Sequence, residues 1–151
     1  MIFGRRREGG LIPLLVTAEE AGPGWEEVLV DTYRDGLALR VMTGEDGFLW
    51  SSAIAAAANI DEQLEGSIDG LTSTDGPAGI GERALSGEQR EERWDDYAPS
   101  RRARLAWVRG AVVHELVFRG REDAVSLGEL ERLAALQDRR AREAALATGA
   151  R

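Results

Sequence analysis

Apolar and polar residues alternate along this chain at two spacings, and the switches between them divide it into strands and helices. From Trp25 the period is two: Val28, Val30 and Thr32 fall on one face, Leu29, Asp31 and Tyr33 on the other. Asp35-Gly36 follows, and suits a two-residue hairpin turn because a primed turn needs positive φ at both positions. That turn would set Asp31 against Arg40, Val30 against Val41 and Leu39 across from Thr32. A second reversal at Glu45-Asp46-Gly47 leads to a third strand, Phe48 to about Ala57, in which Trp50, Ser52, Ile54 and Ala56 share a face. Ile80 to Leu85 reads as a further short strand. The block Arg104 to Phe118 reads as two strands joined at Arg109-Gly110, pairing Trp107 with Val112, Leu105 with His114, and Arg104 with Glu115. Both faces of this block carry apolar residues, as in a central strand pair covered by helices.

Elsewhere the period is helical. Thr17-Ala18-Glu19-Glu20 fits a capping box and starts a short turn that Gly22-Pro23-Gly24 ends. Asn59 with Glu62 resembles an N-cap pair ahead of Ile60, Leu64, Ile68 and Leu71, predicting a helix over 60–71 that Gly66 and Gly70 weaken. Ser126 and Glu129 open a last helix. Leu127, Leu130, Leu133, Ala134 and Ala141 form its inner stripe; Arg132, Asp138, Arg139 and Arg142 form its outer face. Ser73 to Gly79 reads as a loop, and Ser86 to Arg102 as a long charged excursion. The sum is an α+β fold, an antiparallel sheet of about five to six strands flanked by helices. Residues 1–10 are expected as a flexible arm, 11–147 as a single domain and 148–151 as a disordered tail.

Composition narrows the chemistry. At 151 residues the chain suits one hydrophobic core. A net charge of −8 argues against nucleic acid, which needs a basic patch, and favours a basic partner or cationic ligand. All 19 basic residues are arginine, a usage expected of a high-GC genome. Without lysine there is no Schiff base and no Walker A lysine; without cysteine there is no thiol nucleophile, disulfide or Cys-type zinc site. No stretch is apolar for long enough to span a membrane as a helix. The run Leu11 to Val16 is too short for a signal peptide and is broken by Pro13, so a cytoplasmic location is expected, with export on a leader absent from this sequence as the alternative.

Three features carry candidate chemistry. His114, the only histidine, is where acid–base catalysis would have to run; between Val112, Leu116 and Phe118 it reads more simply as a packed sheet residue. Gly76-Pro77-Ala78-Gly79-Ile80-Gly81 looks like a phosphate-cradling loop but lacks the preceding strand and G-x-G-x-x-G spacing, so a structural turn is expected. The run Glu91, Glu92, Arg93, Trp94, Asp95, Asp96 and Tyr97 gathers four carboxylates and two aromatics, the residue types of a recognition loop.

Three segments, LLVTAEEAGPGW (Leu14 to Trp25), AGIGERAL (Ala78 to Leu85) and WVRGAVVHELVFRG (Trp107 to Gly120), make the chain resemble small actinobacterial extracytoplasmic domains, often lipoproteins, of the PsbP-like α/β/α type. The resemblance implies an antiparallel sheet between helices, a ligand- or protein-binding role and no catalytic residues to carry over; the leader and lipidation cysteine of that group are missing here. The expectation is a non-catalytic binding or accessory module with no cofactor and no metal. Its recognition surface would be the concave side of the sheet or the loop with Glu91, Glu92, Trp94, Asp95, Asp96 and Tyr97. A hydrolase or isomerase using His114 is the rival. A third possibility is a structural homodimer joined through Leu127, Leu130 and Leu133.

Overall fold

The structure, a computed structural model, describes residues 10–33, 36–55, 59–68, 71–91, 100–122, 124 and 126–149. Seven strands, β1 (Glu26–Thr32), β2 (Leu37–Gly44), β3 (Gly47–Ala55), β4 (Thr72–Asp75), β5 (Arg83–Glu91), β6 (Ser100–Arg109) and β7 (Val112–Arg121), form one sheet. Their order is β1-β2-β3-β7-β6-β5-β4, and every neighbouring pair is antiparallel. Helices α1 (Ala18–Ala21), α2 (Ile60–Ser67) and α3 (Leu127–Gly149) complete the α+β fold. Among the described residues, no helix is long and apolar enough to cross a membrane.

The period-two pattern decides what each face meets. Leu105 and Trp107 of β6, Leu116 and Phe118 of β7, Leu49 of β3 and Met42 of β2 point to one side, where Leu130, Leu133 and Ala134 of α3 seal them into the main core. On the other side Ala106, Val108 and Val113 receive Leu64 of α2. At roughly 25 cal/mol per Å² of apolar surface removed from water, the main cluster dominates the stabilisation. The stripe Leu130 and Leu133, considered above as a dimer seam, is spent on the chain's own sheet: both leucines are buried.

The structure corrects several boundaries. In the first hairpin the register moves by one: Val30 faces Arg40, Asp31 faces Leu39 and Thr32 faces Ala38. The chain closes there over three residues, since the Tyr33 N–H donates to the Leu37 carbonyl and the Gly36 N–H, at φ 86°, to that of Tyr33. Arg34 and Asp35 lie outside the described residues. A bulge between Glu27 and Leu29 then absorbs Val28. In the central hairpin the turn moves to Gly110-Ala111, so that Trp107 faces His114 and Leu105 faces Leu116. That slip is two residues, which leaves every side chain on its expected face.

Helix α2 ends at Ser67 rather than Leu71, and Asn59 adopts left-handed φ 62° without a side-chain cap bond. The expected loop after it contains β4, and the described parts of the expected charged excursion are strands β5 and β6. The third strand ends at Ala55, with residues 56–58 outside the described set. Helix α3 continues to Gly149, into the segment expected as a tail. Asp138, expected on the outer face of α3, is buried, because Arg109 and the Gly81 N–H supply the partners it would otherwise find in water.

Candidate functional site

His114 lies on the sheet face under α3, with no exposed surface. Two side chains, Ser51 and Gln137, and two backbone groups fix its tautomer. The Val16 N–H donates to Ser51 Oγ (3.2 Å), whose hydroxyl donates to Gln137 Oε1 at 2.6 Å. The Gln137 amide then donates from Nε2 to the Ser52 carbonyl and to His114 Nδ1, both at 3.0 Å. With Oε1 accepting from serine, the amide nitrogen must donate, so Nδ1 is an acceptor and the proton sits on Nε2. The imidazole stacks on Trp107 with centroids 5.2 Å apart and an 8° tilt. Burial pushes its pKa down to about 4, with Asp138 pulling it up and Arg109 pushing it down. Its Nε2–H has no partner among the described residues. This is a neutral core histidine; it has no exposed surface, and among the described residues no carboxylate bonds to either ring nitrogen as acid–base catalysis needs.

The glycine-rich segment is a structural turn. The Gly76 N–H bonds to the Ala84 carbonyl, and Gly81, at φ 67°, lies so close to β6 that a Cβ would stand 2.6 Å from the Val108 carbonyl oxygen. The Gly81 N–H is already taken by Asp138 at 3.1 Å. Its backbone therefore anchors β5 to α3 and to the Arg109 end of β6. The Asp138 carboxyl is held below the ordinary range: burial would raise it, but the Arg109 fork at 2.8 and 3.0 Å, the Gly81 N–H and Arg142 outweigh that.

The opposite face of the sheet has more to offer. Helix α2 covers only the part nearest the Gly110-Ala111 turn, leaving a cleft of about 370 Å³ lined by Leu39, Trp50, Ser52, Arg102, Arg104, Glu115, Val117 and Arg119. Strand pairing sets these in rows. Phe48, Arg119 and Arg102 cross β3, β7 and β6 in one row; Trp50, Val117 and Arg104 make the next; Ser52, Glu115 and Ala106 make the third. Phe48 and Trp50 form an aromatic edge, their rings 6.0 Å apart. Arg104 donates to the Ser67 carbonyl at the end of α2 and stands 3.7 Å from Glu115. Burial pushes the Glu115 carboxyl up, against the pull of Arg104 and Ser67. Glu115 also lines a second, neighbouring cleft with Asn59, Glu62, Gln63, Gly66 and Ser67.

Of the residues expected in a recognition loop, Glu92, Trp94, Asp95, Asp96 and Tyr97 lie outside the described residues, and Glu91 is the last residue of β5. Ser100, where β6 begins, is two positions before Arg102 of the cleft. Sequence reasoning missed the cleft residues themselves, although their signal is present. Arg102 and Arg104 are two apart, and the even-numbered positions of β6 share a face with Val117 and Arg119 of β7. The chain's net acidity pointed instead to a cationic ligand. The cleft instead gathers three guanidinium groups and one carboxylate in its lining. No protein-family model, curated protein or solved structure matches this chain.

Proposed function

We propose that the chain is a non-catalytic binding module whose recognition surface is the open half of the sheet face beside α2. One observation carries this reading: the cleft of about 370 Å³ collects Trp50, Arg102, Arg104 and Arg119 over an apolar floor of Leu39 and Val117. Concave, largely apolar sites with a few placed polar groups are where proteins bind small molecules, and this volume is within their usual range. The contrast with the α3 face supports it, since there the only histidine is buried and neutral. The layout-level resemblance to PsbP-like binding domains points the same way.

A fragment library screened by two-dimensional ¹H–¹⁵N NMR tests this. Bound fragments should perturb the amides of Trp50, Ser52, Arg104 and Val117 together. Hits that cluster on the α3 face instead, or a library that perturbs nothing in the cleft, would remove the reading.

A further inference from the structure

The cleft carries a charge pattern that sheet stability alone does not favour. Arg102 and Arg119 are direct cross-strand partners on one face, and like charges placed so are destabilising. Arg104 lies one row along on the same face, within about 7 Å along the strand. Glu115 is the one carboxylate in the lining, and it stands on the Arg104 side at 3.7 Å, in the row beyond. Three guanidinium groups and one carboxylate line the pocket, inside a chain of net charge −8. Arg102 and Arg119 make interactions of their own. An arginine fork has five N–H donors, however, and can serve a neighbour and a ligand together. The Arg104 Nε–H is buried without a partner among the described residues.

Beside the three arginines the lining is largely apolar, with Leu39, Val117 and Trp50. In the row that ends at Arg104, Val117 separates that arginine from Trp50, and Trp50 continues into Phe48 at 6.0 Å. A ligand reaching from the guanidinium groups across Val117 would therefore meet an indole. A volume of about 370 Å³ limits it to one small molecule.

We infer that the cleft takes a small organic oxyanion with a flat apolar body, such as an aryl carboxylate or aryl phosphate. Its charged end is held by Arg102, Arg104 and Arg119, and its ring lies against Trp50. This assignment rests on the binding-module reading above and gives it a ligand class. Guanidinium forks match carboxylate and phosphate oxygens bidentately, and the charge-assisted bonds give orientation as well as affinity.

Isothermal titration with indole-3-acetate, phenyl phosphate, inorganic phosphate and the neutral indole-3-acetamide is the test. One or both of the ring-bearing anions should bind, and their relative affinities tell carboxylate from phosphate preference. Inorganic phosphate and the amide should each bind at least about tenfold more weakly than the better of the two, the scale of one lost charge-assisted or stacking contact. Arg119→Gln and Trp50→Leu should each weaken that binding about tenfold or more, with unchanged far-ultraviolet circular dichroism showing that the variants fold. If the amide binds as tightly as the acid, or the two variants bind like the parent chain, the ligand class is wrong. If none of these probes binds while NMR fragments of other chemistry still map to the cleft, the ligand class falls and the binding-module reading stands. If light scattering shows a dimer that buries the cleft and no probe enters, both fall.

Discussion

His114 is a residue whose surroundings dictate its charge. Its ordinary pKa is 6.5, and burial lowers it to about 4 in the fold, so between these values the unfolded chain binds a proton that the folded chain refuses. Stability contributed by this group is therefore complete above the unfolded value and is lost as pH falls through that window, by about 2 kcal/mol between pH 7 and 5. Urea denaturation at the two pH values measures it, and His114→Gln should flatten the slope. An imidazole signal titrating near its ordinary value in NMR would contradict the assignment. The Arg109 and Asp138 pair behaves differently. Asp138 is lowered, so its contribution is present above the ordinary carboxylate pKa and disappears on acidification. Arg109→Ala strands a buried carboxylate and should cost roughly 3 kcal/mol at neutral pH, read by urea denaturation. The reading of His114 as a packed sheet residue was available from its strand neighbours. The partner that fixes its tautomer, Gln137, was not, because it lies on a helix 23 residues away. Asp138 misled for a related reason: helical spacing marks a charged residue as outward, and only the fold brings Arg109 to it.

At the scale of elements, the central hairpin shows what local pattern can and cannot fix. Alternation in β6 and β7 assigned every side chain to its face even though the turn was placed one residue early, because the resulting register slip of two preserves parity. The first hairpin had no such protection. Its loop is one residue longer than a primed turn, and the bulge at Val28 adds a further shift, so cross-strand partners changed face. Strand β4 escaped notice because Thr72–Asp75 is polar and short, and its strand character comes from pairing with β5. Helix α2 is weak by composition, and Leu64, with no exposed surface, is its buried anchor on the sheet. Leu64→Ala should cost about 3 kcal/mol, and hydrogen exchange should show α2 opening ahead of the sheet. In the glycine-rich turn, Gly81→Ala puts a Cβ against the Val108 carbonyl at positive φ and should lower stability by roughly 2 kcal/mol. Unchanged thermal melting would show that the turn is not the anchor described above.

At the scale of the whole molecule, the described residues form a seven-stranded antiparallel sheet with two unlike faces. Helix α3 closes one of them over a large apolar core, and α2 covers only part of the other, so the unfilled half becomes a cleft. The architecture of sheet and helices was legible from periodicity, since each face must be hidden or solvated. The cleft was not, because it depends on where α2 stops and on four strands being brought into rows. Global composition was a poor guide to it: net charge sums over the entire surface, while binding depends on the few groups that share one concavity. The most direct measurement is a crystal structure of the protein soaked with 4-bromobenzoate, whose bromine is located by its anomalous signal. The bromine peak should lie over Trp50 with the carboxylate turned toward Arg102, Arg104 and Arg119. A cleft without bromine, with the peak elsewhere on the molecule or nowhere, would contradict it.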